Sequence, residues 1–173
     1  METKTNVMRI LDAHHIPYHE YCYIGTGAVS GIDVANVLGQ NPNQVFKSLV
    51  TVSKEKRHYV FLVPVAKELD LKKCAKAVLE KNIEMIPQKD LLGLTGYVHG
   101  GCSPIGLKKE FPVVIDSSAE QFETIIFSAG KIGYQVEVAL EDLKQVIPYR
   151  MGGIARGGEK GKEEKEGEDS RKR

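Results

Sequence analysis

Apolar and polar positions alternate over much of this chain, and only short stretches show helical spacing. Alternation with a period of two is typical of half-buried strands, and recurrence every three to four residues is typical of amphipathic helices. Helices are predicted at 5–15, 34–38, 71–79 and 140–146, with a helical turn at 88–92. Strands are predicted at 18–23, 46–52, 58–65, 83–86, 97–99, 113–115, 123–128 and 134–138. Because strands outnumber helices without a regular βαβ order, we expect a single α/β domain on a mixed, largely antiparallel sheet with surrounding helices.

Local capping signals support three of these helix boundaries. Ser30 followed by Asp33 resembles a capping box before the second helix, although Asp replaces the usual Glu. Gly39 is suited to end that helix in the left-handed conformation. Asp70 stands where it can cap the helix that begins at residue 71.

Composition indicates a globular protein without a membrane segment. The chain has 173 residues, of which 42% are hydrophobic, and its longest nearly apolar run, 59–66, is far shorter than the ~20 residues of a membrane helix. The first residues lack the apolar segment of a signal peptide, so we expect a cytoplasmic location. Cys22, Cys74 and Cys102 form no C-x-x-C pair, which favours reduced, independent thiols. We expect neither a metal nor another cofactor.

Charge divides the chain into a domain at 1–150 and a charged C-terminal tail at 151–173. Residues 156–173 contain no apolar side chain, and we expect them to be disordered. Removing their seven basic and six acidic residues from the totals of 24 and 23 leaves equal numbers of each sign. A nucleic-acid partner would therefore have to be held by a local basic patch rather than by net charge.

The heptapeptide Gly-Gly-Cys-Ser-Pro-Ile-Gly at 100–106 is the first candidate for function. Glycine permits positive φ and lets a ligand approach the backbone, and proline stiffens the loop. Amide N–H groups of such a loop can converge on a developing negative charge, as in an oxyanion hole. A tight surface turn explains the same composition, and the heptapeptide alone leaves both interpretations open.

Other candidates are single residues with a structural and a functional interpretation. Lys47, in Phe-Lys-Ser-Leu, shares a strand face with its apolar neighbours 45 and 49 and either extends past them to solvent or meets an anion. Ser48 points to the opposite face. His99 adjoins the glycine loop, and Cys102 inside the loop is interpreted as a small neutral filler. The second glycine cluster, 127–133, is explained by a β-hairpin turn, apart from Ser128 and Lys131.

Several site classes are not supported by the sequence. The loop is not G-x-S-x-G, because Ile105 replaces the last glycine, so a serine hydrolase is poorly supported. The five histidines show no metal-ligand spacing with acids or cysteines. Neither a P-loop nor a dinucleotide-binding fingerprint is present.

Phe-Lys-Ser-Leu at 46–49, Gly-Gly-x-Ser-Pro-x-Gly at 100–106 and Ser-x-Gly-Lys-x-Gly at 128–133, in this order, resemble the YbaK family. This family consists of free-standing editing proteins that hydrolyse mischarged tRNA, typically Cys-tRNA(Pro) and also Cys-tRNA(Cys), and it is related to the editing domain of prolyl-tRNA synthetase. The resemblance covers about residues 4–147. It implies a mixed α/β fold around a curved sheet, with a pocket for the aminoacyl-adenosine end of tRNA.

The resemblance also implies roles for individual residues. Lys47 corresponds to the lysine that holds the tRNA 3′ end and is the expected catalytic residue. The residues expected to line the substrate pocket are Tyr21, Ser48, Gly100, Gly101, Ser103, Gly106, Ser128 and Gly130. Two departures are Gln135, where close relatives often carry an acid, and Cys102, where isoleucine is more usual.

In this family the cysteinyl thiol of the substrate is thought to attack its own ester, so the enzyme needs no nucleophile. The resemblance thus implies a Cys-tRNA deacylase acting in trans, with tRNA as partner and prolyl-tRNA synthetase as a possible second partner. Two alternatives stay open: an Ala-tRNA(Pro) deacylase on the same fold, and a non-catalytic module that binds tRNA or the synthetase.

Overall fold

The computed structural model of the chain describes residues 3–157. Its helices are short: α1 (Asn6–Ala13), α2 (Gly31–Leu38), α3 (Leu71–Ala77), α4 (Leu91–Thr95) and α5 (Leu140–Leu143), with 3-10 turns at Gln88–Asp90 and Ser117–Gln121. Its strands are β1 (Tyr18–Cys22), β2 (Phe46–Ser53), β3 (His58–Pro64), β4 (Glu68–Leu69), β5 (Ile83–Met85), β6 (Val113–Asp116), β7 (Thr124–Ser128), β8 (Tyr134–Ala139), β9 (Arg150–Gly152) and β10 (Ala155–Arg156). None of the helices in this range is long and apolar enough to span a bilayer.

The strands form a five-stranded sheet and a three-stranded sheet, with a short β4–β10 pair beside them. The larger sheet has the order β5-β2-β3-β6-β9, and the smaller has the order β1-β8-β7. Only the β3–β6 and β6–β9 pairings are parallel among these. The predicted fold class, a mixed and largely antiparallel α/β domain, is confirmed.

Three groups of buried side chains hold the layers together. The first core lies between the inner faces of the two sheets and is closed by α1 and by the loop at 100–106. The second core lies between the opposite face of the larger sheet and α3. The third core is small and packs α2 against the start of β2 and the outer face of the smaller sheet.

The three predicted cap positions are confirmed by the structure, although at Ser30 only the serine half of the capping box is formed. Ser30 Oγ accepts a hydrogen bond from Asp33 N at 3.1 Å. Gly39 follows α2 with φ 68° and ψ 28°, the left-handed conformation predicted for it. Asp70 accepts from the amides of Lys72 and Lys73 at the start of α3. These contacts are local, so the sequence was sufficient to predict them.

One predicted element is wrong, and two boundaries move. Residues 97–99 are not a strand, because α4 ends at Gly96 (φ 84°) and the following residues pair with no strand among those described. The last helix stops at Leu143 and continues as turns. Residues 150–156 contribute β9 and β10 around the fully buried Ile154, so ordered structure continues past residue 150 into the predicted tail. The rest of that tail, from 158, lies outside the described residues.

Candidate functional site

A row of side chains crosses the outer face of the smaller sheet and joins residues that are far apart in sequence. Tyr21 on β1 is directly opposite Gln135 on β8, and Gln135 is directly opposite Ser128 on β7. Residues that are opposite in an antiparallel pair project to the same face of the sheet. Register therefore places two predicted pocket residues, Tyr21 and Ser128, on one face with Gln135 between them.

The row continues onto the larger sheet through an isolated parallel bridge. Val45, just before β2, pairs with Ile126, whose amide donates to Gln44 O at 3.1 Å. Lys47 and Ser128 each lie two residues beyond that bridge and so project to the same side. Three strand spacings then separate Tyr21 from Lys47, roughly 14 Å between backbones. The predicted Lys47, Ser128 and Tyr21 thus line one continuous surface.

Lys47 is half-buried and its charge is unpaired within residues 3–157. It lies opposite Val63, a member of the second core, so its stem packs along apolar surface. Its Nζ forms no hydrogen bond or ion pair with any residue in that range. A lysine in this setting can present an uncompensated ammonium to an anionic ligand.

Ser48 lies on the opposite face of β2 from Lys47. It pairs with Leu62, a member of the first core, as the alternation of a strand predicts. Its Oγ is buried and has no hydrogen-bond partner among the described residues. An unpaired buried hydroxyl costs free energy unless water or a ligand satisfies it. Ser48 can therefore contact a ligand only on the side of β2 that faces the first core, not on the side that carries Lys47.

Tyr21 is fixed by a carboxylate that the sequence did not single out. Its hydroxyl donates to Glu137 Oε1 at 2.6 Å, and the Thr124 hydroxyl donates to the other oxygen of the same carboxylate. Gln44 Nε2 donates in turn to Thr124 Oγ1 at 3.0 Å. The hydrogen bond to Glu137, with partial burial, raises the pKa of Tyr21 to about 12. Tyr21 is therefore a neutral phenol whose hydroxyl is occupied, and its ring is the part available to a ligand.

Gln135, the departure from the family pattern, forms a neutral pair with Gln40. Gln40 Nε2 donates to Gln135 Oε1 at 2.8 Å, while Gln40 Oε1 is buried without a partner among the described residues. The side-chain amide of Gln135 accepts this hydrogen bond through its oxygen and, unlike a carboxylate, adds no negative charge to the row. The centre of the row is consequently neutral, between Tyr21 and the ammonium of Lys47.

The glycine loop packs against the tip of the β7–β8 hairpin. A Cβ on Gly101 would stand 3.3 Å from Ile132 N, and one on Gly100, where φ is +90°, would stand 3.7 Å from Ile132 Cγ1. Such close backbone approach explains why this end of the loop is glycine. The two glycine clusters that the sequence singled out therefore meet in space.

The side chain of Tyr97 contacts both glycine clusters. A Cβ on Gly106 would be 2.9 Å from the Tyr97 hydroxyl, and one on Gly130 would be 3.0 Å from the Tyr97 ring. The Tyr97 hydroxyl donates to Ile105 O at 2.5 Å. Gly106 and Gly130, both expected in the pocket, thus have a packing role: they make room for this ring.

The loop contains amide donors without acceptors. Gly101 N donates to Val98 O at 2.9 Å, and Ile105 N donates to Ser103 Oγ at 3.3 Å. The amides of Gly100, Cys102, Ser103 and Gly106 donate to no residue within 3–157. Ser103 is 0% exposed and Cys102 is 8% exposed, whereas Gly100 and Gly106 are exposed. The amides of the two exposed glycines are therefore the donors that a ligand can reach most easily.

The described residues around this surface provide no activated nucleophile. Burial raises the pKa of the Cys102 thiol to about 12, so the thiol is neutral near pH 7. Ser103 and Ser128 each accept a hydrogen bond from an amide of their own turn, and neither is bonded to a histidine or carboxylate that could take its proton. His99 is exposed beside the loop. Residues 3–157 contain no group of three His, Cys, Asp or Glu side chains placed to bind a metal ion.

Register brings three of the predicted residues, Lys47, Tyr21 and Ser128, onto one face, and the sequence missed the residues that support them. Gly100 and Gly101 instead pack against Ile132 at the tip of the β7–β8 hairpin. The missed residues are Tyr97, Glu137, Thr124, Gln40 and Gln44. A polar residue alternating with apolar ones in β8, as Glu137 does, is the one signal that could have indicated a half-buried hydrogen-bond acceptor on this face.

Comparisons with known proteins identify the family of the chain. The sequence profile of the family described as "Aminoacyl-tRNA editing domain" matches residues 27–146. A protein of Enterococcus faecalis named "Putative Cys-tRNA(Pro)/Cys-tRNA(Cys) deacylase EbsC" is 46% identical over 141 residues, covering 81% of this chain and 86% of its own.

Solved structures share the fold at low identity. One, described as "a putative trans-editing enzyme for prolyl tRNA synthetase", has a TM-score of 0.75 and 21% identity over 87% of this chain and 95% of its own. Another, described as "hypothetical protein APE2540", has a TM-score of 0.78 and 16% identity over 87% of this chain and 99% of its own. These structures show a shared fold, and the two sequence matches establish that the chain belongs to the aminoacyl-tRNA editing domain family.

Proposed function

We propose that this editing domain is a deacylase that removes cysteine from mischarged tRNA(Pro) in trans. Three observations support the proposal: the unpaired ammonium of Lys47 on the face that Tyr21 and Ser128 share, the amides of the loop at 100–106 that donate to no described residue, and the lack of an activated nucleophile among the described residues. The name of the Enterococcus faecalis relative supports the cysteinyl substrate.

In this mechanism Lys47 holds the tRNA and the loop holds the ester. The Nζ of Lys47 binds a phosphate of the terminal nucleotides, which fixes the position of the aminoacyl group. Unpaired amides of the loop at 100–106 donate to the ester carbonyl oxygen as negative charge develops on it. The ring of Tyr21, fixed by Glu137, forms the far side of the pocket.

The substrate supplies the nucleophile. The cysteinyl sulfur attacks its own carbonyl carbon, the bond from that carbon to the ribose oxygen breaks, and the thiol proton ends on the ribose hydroxyl. The products are a four-membered thiolactone and free tRNA, so no other reactant is consumed. Such a reaction explains why a fold with a neutral Cys102 and self-bonded serines can still cleave an ester.

Chemistry of this kind also selects the substrate. Cysteine and proline are similar in size, and a difference of about one methylene gives only ~1–3 kcal/mol of discrimination. A reaction that requires a thiol on the aminoacyl group spares prolyl and alanyl esters regardless of pocket fit.

The decisive experiment is a deacylation panel with product identification. Cys-tRNA(Pro), Cys-tRNA(Cys), Ala-tRNA(Pro) and Pro-tRNA(Pro) are compared, and only the cysteinyl esters should be cleaved, with thiolactone as the first product. Cleavage of the alanyl ester alone would instead support an Ala-tRNA(Pro) deacylase. Tight binding without turnover would support a non-catalytic module. Adding prolyl-tRNA synthetase to the same assay tests whether it acts as a partner.

The role of Lys47 is tested by Lys47→Ala with Lys54→Ala as control. A hydrogen bond to a charged group contributes ~1.5–3 kcal/mol, so Lys47→Ala should lower kcat/KM about 10- to 150-fold. Lys54 lies exposed in the turn between β2 and β3, and its replacement should change nothing. Lys47→Ala activity within twofold of the wild type would refute the role.

A further inference from the structure

A basic cleft outside the Lys47 surface lies between the end of α3 and the edge strand β9. It has a volume of about 320 Å³, and its charged lining residues are Lys73, Lys76 and Arg150. The backbone of Gly152 and Gly153 forms part of its wall. A Cβ on Gly153 would meet no atom within 4 Å, so this stretch of backbone is open to a ligand.

The positive groups of the cleft are held in place without being neutralised. Arg150 Nη2 donates to Ala77 O at 2.8 Å, and Lys73 Nζ donates to Ala155 O at 3.0 Å. None of the three lining cations has a carboxylate within 4.0 Å among residues 3–157. Backbone carbonyls therefore orient two of the groups, while the charge stays available to an anion.

The nearby carboxylates are engaged with backbone amides instead. Asp70 accepts from the first amides of α3. Asp116 is buried and accepts from the amides of Ile154 and Ala155. The lining of the cleft itself therefore carries three cations and no carboxylate, although the chain as a whole has a formal net charge of only +1.

The cleft and Lys47 lie on the same face of the five-stranded sheet. Lys47 is opposite Val63, which belongs to the core beneath α3. A Cβ on Gly152 would contact Val114 and Ala77, which also belong to that α3 side. In the order β2-β3-β6-β9, three strand spacings separate the two sites, roughly 14 Å between backbones.

We propose that this cleft binds backbone phosphates of the tRNA acceptor stem while the 3′ end of the same molecule is bound at Lys47. The proposal rests on the proposed function, since it takes tRNA as the substrate. A polyanion suits two separated groups of cations on one face, because one ligand then neutralises both. Phosphate contacts of this kind position a nucleic acid without reading its sequence, which suits a domain that selects by the chemistry of the aminoacyl group.

The test compares Lys76→Gln with Lys54→Gln. Lys76 is exposed on α3, and its Nζ has no hydrogen-bond partner among the described residues, so its removal should not disturb the fold. Lys54 is an equally exposed lysine in the β2–β3 turn. Binding of uncharged tRNA is measured as a function of salt concentration, and deacylation is measured with full-length Cys-tRNA and with a cysteinyl trinucleotide.

Loss of one phosphate contact lowers the slope of log affinity against log salt by about 0.7–0.9. At 0.1 M salt this corresponds to roughly five- to eightfold weaker tRNA binding. Lys76→Gln should show both effects, raise KM for full-length Cys-tRNA with kcat unchanged, and leave cleavage of the trinucleotide unaltered. Lys54→Gln should match the wild type in every measurement.

The cleft proposal is overturned if Lys76→Gln leaves the tRNA affinity and the salt slope unchanged, or if Lys54→Gln has the same effect. It is also overturned if inorganic phosphate inhibits the wild type through Lys76 while the tRNA affinity of the variant is normal, because the cleft would then be a small-anion site. Failure of the wild type to cleave any cysteinyl ester would refute the proposed function instead. The binding of uncharged tRNA would still decide the role of the cleft.

Discussion

Replacing Tyr97 by Phe tests whether this side chain holds the glycine loop at 100–106 in position. The Tyr97 hydroxyl donates to Ile105 O at 2.5 Å, and Ile105 is fully buried. The substitution keeps the ring between Gly106 and Gly130 but leaves that carbonyl without its donor. An unsatisfied buried acceptor costs about 1–3 kcal/mol, so the free energy of unfolding should fall by that amount. For a domain of this size the melting temperature should fall by about 2–12 °C.

The functional consequence should exceed the loss of folded protein. The carbonyl of Ile105 belongs to the loop whose amides we assign to the ester, and misplacement by about 1 Å can cost on the order of 100-fold in rate. We therefore expect kcat/KM for Cys-tRNA(Pro) to fall at least about tenfold at a temperature where the variant is fully folded. Urea unfolding and single-turnover deacylation are the two measurements.

Tyr149→Phe is the matched control. Its hydroxyl also donates to a backbone carbonyl, Leu140 O at 2.9 Å, but beyond the end of β8 that is opposite the β7–β8 hairpin turn. It should lose stability and keep its activity. If Tyr97→Phe keeps wild-type activity per folded molecule, or loses no more than Tyr149→Phe, the loop is not positioned by Tyr97 and the reasoning fails.

Three further variants test other contacts. Cys102→Ala should retain most activity at pH 7, and a collapse would revive an enzyme nucleophile. The pKa of this thiol rises from 9.0 in the unfolded chain to about 12 when it is buried. The free energy of unfolding of the wild type should therefore fall by about 1.4 kcal/mol per pH unit between these two values. Chemical denaturation of Cys102→Ala should show a pH dependence that is smaller by this amount. Glu137→Gln should lower the pKa of Tyr21 from about 12 in an ultraviolet titration, whereas an unchanged pKa would contradict the assigned hydrogen bond. Gly130→Ala should destabilise by more than about 1 kcal/mol, since φ is +91° and a Cβ would stand 3.0 Å from the Tyr97 ring, while Gly93→Ala, in α4 with open space around it, should be stabilising in the same melts.

Features set by neighbouring residues could be predicted from the sequence. The caps at Ser30 and Asp70 depend on groups two or three residues away. The opposite orientations of Lys47 and Ser48 follow from the two-residue period of a strand. The same local reasoning failed at 97–99, where Tyr97 and Val98 have the composition of a strand. Gly96 ends α4 there, and the Tyr97 side chain packs into the core rather than alternating across a sheet.

Features set by register could not be predicted. Nothing in the sequence of β1 indicates that Tyr21 lies opposite Gln135. Nothing in the sequence of β7 indicates that Ser128 also lies opposite Gln135, on the other neighbouring strand. The strands β9 and β10 are two or three residues long and are held by partners about 40 and 90 residues away in the sequence. Short edge strands of this kind are stabilised by pairing rather than by their own propensity.

The distribution of charge explains how a nearly neutral protein could bind RNA. Outside 156–173 the acidic and basic residues are equal in number, so attraction cannot come from net charge. Several carboxylates accept hydrogen bonds within the domain. The donors are backbone amides for Asp70 and Asp116, Arg57 and Tyr59 for Glu80, and Tyr21 and Thr124 for Glu137. Lys47 and Lys76 have no such partner within residues 3–157. Unpaired ammonium groups on one face of the larger sheet attract phosphates locally, and removing either lysine should therefore weaken RNA binding more than the change in net charge alone would.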